Sequence, residues 1–271
     1  MRLYDTSSWV FRHHLEKIPL NKAFQPLFDK DKTKIKEEWF NFLMSQGMMP
    51  VSLKTKRDWM VWRKKINLIN LKKHMVDLKK EFKGPEIDIF LFPLNQRHTN
   101  IMEELDGKNG CTFPDYIIAF WKDSLPENDQ KALLLHEYHH ACRIKYQRIK
   151  ESSITLLESM IMEGLAEWEV QNRLGKEYSA PWIKRYPSEM VESWWKDIYS
   201  KNINLRGRQN HADLLYGSRK GIPPLMGYQL GYEIISNYLK DDQSSDSRVL
   251  LEIKDHQFLT GKFTKNKQVK G

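Results

Sequence analysis

At 271 residues, with 40% hydrophobic and 12% aromatic side chains, the chain can bury a substantial core as one large domain or two small ones, which excludes a disordered tail. Its formal charge of +9 permits an anionic partner, but no nucleic-acid motif accompanies that charge. Two cysteines are too few for a disulfide scaffold, the first residues lack the apolar run of a signal peptide, and no stretch approaches the roughly twenty apolar residues of a membrane helix. A soluble, cytoplasmic protein without membrane insertion is the expectation.

In chain order, Ile35, Trp39, Phe40 and Leu43 are spaced as one face of a helix from Lys32 to Gln46, stopped by Gly47 and Pro50. A longer helix is expected from Leu53 to Phe82, with Trp59, Trp62, Ile66, Ile69, Met75, Leu78 and Phe82 at three- and four-residue steps and lysines between them. Gly84-Pro85 ends it. Residues 1–84 therefore read as a helical N-terminal region, and 85–271 as a second domain that can also form one compact unit with the first.

Glu86 to Phe92 alternates at its start, is rich in branched and aromatic residues, and reads as a strand. A loop from Asn95 to Gly110, with a helical turn near Ile101 to Leu105, leads to a second strand from Asp115 to Trp121. Helices follow over Pro126 to Arg148 and from a cap at Ser152 or Ser153 to about Asn172. Pro181 to Tyr199 reads as mainly helical, Lys201 to Gly221 as loop with short turns, Leu225 to Leu239 as helix, and Asp241 to Asp246 as a polar linker.

The helix over 126–148 carries His136-Glu137-Tyr138-His139-His140. Four residues apart, His136 and His140 project from one helical face, and Glu137 follows the first of them. In H-E-x-x-H two histidines hold zinc while the glutamate activates water. A catalytic zinc takes three protein ligands and leaves a fourth position for water, so a third ligand is required downstream. Glu163, 23 residues past His140, is the best candidate, with Glu158 as rival. Glu167, one turn after Glu163, can accept the outer N–H of a ligating histidine. Gly164 and Ala166 are small and let the two helices approach closely. His139 points off the shared face, and Cys142 reads as a packed thiol.

The order H-E-x-x-H followed by Glu163-Gly164-Leu165-Ala166-Glu167 resembles the gluzincin metallopeptidases, whose third zinc ligand is a glutamate. From about Ile87 to Leu239, including Gly227-Tyr228-Gln229-Leu230-Gly231-Tyr232, the chain also resembles a bacterial domain-of-unknown-function family of predicted zinc-dependent proteases. The resemblance implies an α+β, mostly helical, zincin-like fold with a small twisted sheet packed on the H-E-x-x-H helix, and one Zn2+ ion held by His136, His140 and Glu163. It implies hydrolysis of peptide bonds in a peptide or protein substrate, with Glu137 as general base. A tyrosine or histidine downstream of the third ligand commonly holds the oxyanion in gluzincins; Tyr228 and Tyr232 are the candidates, with His211 and Tyr216 behind them. Likeness to gluzincins also makes Tyr116, Ile117, Ile118, Ala119 and Phe120 the sheet edge onto which substrate adds by backbone hydrogen bonds.

Two other readings share these residues. A zinc hydrolase of a non-peptide amide or ester uses the same ligands, and a regulatory, DNA-associated protein with a closed zinc site would draw on the long basic helix.

Overall fold

The computed structural model describes residues 1–32, 34–217, 221–240 and 246–264. All but Asp246 of the expected polar linker, Asp241 to Asp246, lies outside the described residues. Contacts divide the chain into two compact units, Met1–Ala141 and Cys142–Gly271.

The first unit is built on a four-stranded sheet of order β1-β2-β4-β3, formed by β1 (Arg2–Asp5), β2 (Asp88–Pro93), β3 (Lys108–Thr112) and β4 (Tyr116–Trp121). β1 and β4 flank β2 in parallel, and β3 runs antiparallel to β4. Period-2 alternation sends Phe90, Phe92, Tyr116, Ile118 and Phe120 to one face. Against them pack α1 (Ser7–Glu16), the single turns α2 (Leu20–Ala23) and α3 (Gln25–Phe28), α4 (Lys36–Ser45) and α5 (Lys56–Lys64), through Trp9, Phe24, Phe28, Trp39 and Trp59. Ile89, Leu91, Ile117 and Ala119 point to the opposite face and are equally buried. A sheet covered on both faces is what its parallel strands require.

The boundary expected at residue 84 falls inside this unit. Arg2–Asp5 supplies the outer strand beside β2, and the Thr6 hydroxyl donates to the Leu91 carbonyl at 2.6 Å, so residues 1–84 complete the sheet rather than standing apart from it. The long helix expected over Leu53–Phe82 is two helices, α5 and α6 (Leu68–Phe82). Asn67 breaks the run because its side chain accepts the Asn70 N–H and caps the second helix. The turn expected near Ile101 is α7 (Thr99–Glu104).

α8 (Glu127–Gln147) begins in this unit; Glu127 and Asp129 in its first turn complement the helix dipole. Tyr138 stacks on Phe82 of α6 at 6.4 Å and donates its hydroxyl to the Pro85 carbonyl, while His139 meets the same Phe82 ring edge-on at 5.8 Å. His139 therefore lies buried against α6.

The second unit is a helical assembly around α9 (Leu156–Leu174), capped by Thr155 rather than Ser152 or Ser153. α10 (Ser188–Trp194) runs through a π-helical stretch, Trp195–Tyr199, into the short α11 (Ser200–Asn202). The loop expected over 201–221 contains a true helix, α12 (Arg208–Tyr216), followed by α13 (Met226–Lys240) and α14 (Ser247–Glu252). Leu157, Ile161 and Leu165 of α9 share one core with Leu230, Ile234 and Ile235 of α13.

Gly164 and Gly231 are where α9 and α13 cross. A Cβ at Gly164 would overlap the Gly231 carbonyl, and one at Gly231 would overlap the Met160 carbonyl. The smallness of Gly164 thus admits the backbone of α13. Gly227, one turn before Gly231, gives α12 the same close access at Leu214 and Leu215.

Gly231→Ala is expected to lower the unfolding free energy by about 3 kcal/mol, the upper end of overpacking costs. The reading is a lower urea midpoint at unchanged m-value; an unchanged midpoint would mean the helices can separate freely.

Candidate metal centre

On α8, the 3.6-residue repeat brings the His136 and His140 rings to 4.6 Å between centroids, His136 half-exposed and His140 buried. Glu137, 5% exposed, has Oε2 at 3.9 Å from His140 Nδ1. Among the described residues, His136, Glu137 and His140 form a group in which one ligand atom from each lies within 4.8 Å of the others. Imidazole nitrogen and carboxylate oxygen are donors that Zn2+ accepts, so the set fits that ion.

Glu137 is held from the sheet side. Thr112 Oγ1 donates to Glu137 Oε2 at 2.6 Å and also lies 2.9 Å from the Glu137 carbonyl oxygen. At the other end of β3, Lys108 pairs with Asp129 at 3.1 Å. Eight residues of helix rise about 12 Å and four of strand about 13 Å, so β3 runs alongside α8 in step with it. Between the two ties sits Gly110, where a Cβ would overlap the Glu137 carboxylate. The strand can lie against the glutamate because residue 110 has no side chain.

β3 also corrects the expected substrate edge. Tyr116–Phe120 lies in β4, hydrogen-bonded to β2 on one side and β3 on the other, with every one of its side chains buried. Its unbroken apolar run signals an interior strand. The edge on the H-E-x-x-H side is Lys108–Thr112, which sequence reading placed mostly in a loop because Lys-Asn-Gly-Cys-Thr has no apolar alternation.

The second unit holds the remaining expected residues. Glu163 is 5% exposed on α9. The rival Glu158 is committed elsewhere: its two oxygens accept from Arg143 Nε at 2.8 Å and Nη2 at 3.1 Å. Arg143 Nη1 also donates to the carbonyls of Leu250, Leu251 and Ile253, so this fully buried guanidinium is a structural clamp. Glu167, buried, accepts the Ala180 N–H. Tyr232 donates to Gln171 Oε1 at 2.9 Å, and the half-exposed Tyr228 ring packs between Trp182 at 5.2 Å and Tyr216 at 5.8 Å.

His211, a runner-up for the oxyanion, is fully buried, with Ser159 Oγ at 2.9 Å from one ring nitrogen and the Leu205 carbonyl at 3.2 Å from the other. It joins α12 to α9. Arg208, one turn earlier on α12, is a residue that sequence reading missed. Burial works against its charge, but Tyr216, Glu163, Tyr228 and Glu151 together hold its pKa above the ordinary value. Nothing in its neighbours along the chain marks it out; only the packing of α12 does.

The model of the family DUF2268, described as "Predicted Zn-dependent protease", matches residues 69–260, well over half of the chain, and its name accords with the donor set just described. The chain belongs to this family. Two curated relatives from Bacillus subtilis (strain 168) are similar to it. YjaZ is 33% identical over 170 residues, 62% of this chain and 64% of its own length; YjfC is 22% identical over 117 residues, 40% of this chain and 39% of its own. Both carry the name "Uncharacterized protein". The chain thus spans less than two thirds of either relative. No solved structure matches it. No described helix is long and apolar enough to cross a membrane.

Burial lowers the His211 pKa below its ordinary 6.5. The folded state therefore keeps the ring neutral while the unfolded chain takes up a proton, and stability is lost as pH falls through and below about 6.5. The thermal midpoint should drop between about pH 7 and pH 5. In His211→Asn that drop should be smaller; identical pH profiles would remove His211 as its source.

Proposed function

We propose that this member of DUF2268 is a gluzincin-type zinc metallopeptidase that cuts peptide or protein substrates, with His136, His140 and Glu163 holding one zinc ion. The observation that carries the reading is the anchoring of Glu137: its carboxylate is hydrogen-bonded by Thr112 and lies against Gly110 on an edge strand, next to two histidines one helical turn apart. A glutamate held from the sheet side suits a general base better than a metal ligand.

When bound, zinc supplies a Lewis acid that polarises a carbonyl and acidifies water. The residues supply the rest. β3 receives the substrate as an added strand, pairing backbone to backbone and so reading little of its sequence. That arrangement puts the scissile bond beside Glu137, which takes a proton from water and passes it to the leaving amine. Thr112 holds one carboxylate oxygen and so fixes the orientation in which Glu137 handles the proton. Tyr228 is assigned to the oxyanion, with Arg208 beside it as a second positive contribution; Tyr232 is assigned a lesser part, since its hydroxyl already binds Gln171. Glu167 orients a ligating histidine.

Glu137→Gln should lower hydrolysis of an unfolded protein substrate by about 100-fold to 10,000-fold, the usual worth of a general base. Its zinc content, read by metal analysis, should stay unchanged. His136→Ala, His140→Ala and Glu163→Ala should lose zinc on dialysis, and chelation of the unaltered protein should abolish activity until Zn2+ is restored. Full hydrolysis by Glu137→Gln, or zinc retained by all three alanine variants, would defeat the reading. Gly110→Ala should retain zinc but lose activity, because the added methyl displaces the carboxylate.

A further inference from the structure

The stretch from Leu53 to Lys83 holds eleven lysines and arginines against three carboxylates, a net of +8 in a chain whose formal total is +9. Almost the entire imbalance of the protein is therefore gathered on α5, α6 and the turn between them. Some of it is internally neutralised: Arg63 pairs with Asp5, Lys65 with Asp123 and Lys79 with Glu86. For Lys54, Lys56, Arg57, Lys64, Lys72, Lys73 and Lys80, no carboxylate of the described residues lies within ion-pair distance.

The same surface carries apolar side chains in water. Ile69 is 82% exposed and Val76 47% exposed. They are seven residues apart on α6, two turns along one face, and Lys72, Lys73 and Lys80 stand on that face with them. Its opposite face buries Leu71, Met75, Leu78 and Phe82 and so anchors the helix to its own unit. Where α5 turns into α6, residues 63–69, Ile69 among them, line an open cleft of about 370 Å³. Lysines interspersed with two exposed aliphatic side chains, one of which also lines an open cleft, are an arrangement that solvation alone does not call for.

We propose that this α6 face and the adjoining cleft dock the protein peripherally on an anionic lipid surface. Lysine ammonium groups would lie among phosphate headgroups while Ile69 and Val76 enter the boundary of the acyl region, the combination of charge and apolar burial that surface-lying helices use. Nucleic acid fits less well. The stripe has no aromatic side chain on which a base could stack, six of the seven unpaired cations are lysines rather than arginines, and two exposed aliphatic residues contribute nothing against a phosphate backbone. The inference is independent of the zinc reading, since these residues lie on a helix that supplies no proposed ligand.

The test is flotation of the full chain with vesicles of phosphatidylcholine alone and of phosphatidylcholine mixed with phosphatidylglycerol. The protein should float with the mixed vesicles, stay behind with the neutral ones, and release as salt is raised. Lys72→Gln combined with Lys73→Gln should weaken partitioning about thirtyfold, and Ile69→Ser about tenfold, with thermal midpoint and zinc content unchanged because all three side chains are exposed. The proposal is overturned if the protein ignores phosphatidylglycerol, if it floats equally on neutral vesicles, or if both variants bind like the unaltered chain. Tighter binding to a DNA duplex that mixed vesicles fail to displace would give the surface to nucleic acid instead.

Discussion

The contact between β3 and α8 sets the terms for the candidate site. An antiparallel strand of low β-propensity is laid along a helix, tied at one end by Lys108 to Asp129 and at the other by Thr112 to Glu137, and kept close in the middle by the missing side chain of Gly110. Without that closeness the glutamate would swing among its rotamers like any helical carboxylate, and holding it in one orientation would cost conformational entropy. The strand that holds the carboxylate is also the outermost strand of the sheet on that side.

The second unit holds Glu163, Arg208, Tyr216 and Tyr228 on three different helices, and the packing that orders them uses buried polar links rather than a loop. His211 bonded to Ser159 sets α12 against α9, while Arg143 spread over Glu158 and three carbonyls clamps the end of α14. Removing one partner of such a pair strands the other without water, which costs more than the pair itself contributes. These groups therefore hold the second unit together.

The parts of the structure legible from sequence were those with a strong period or a motif whose geometry is local. α8, α9 and α13 follow from apolar spacing, and the pairing of His136 with His140 follows from the pitch of a helix. The interior strands β2 and β4 are visible as apolar runs, whereas the edge strand β3 has no such run to announce it. β1 and β3 were invisible because four or five residues of mixed polarity become strands only when a neighbour pairs with them. Asn67, which splits one expected helix into two, and Arg208, which joins the second unit's polar cluster, are single residues whose roles exist only in three dimensions.

The placement of β1 has a kinetic side. β2, β4 and β3 come from one continuous stretch of chain and can pair as soon as short loops close, whereas Thr6 must find Leu91 across 85 residues. Loop closure over that distance has to wait for α1 to α6 to collapse around it, and contacts so remote in sequence form late and slowly. The sheet should thus exist first as a three-stranded piece already carrying β3, and the strand on its far side should be the last to zip shut and the first to open, leaving the edge beside Glu137 the older and steadier of the two.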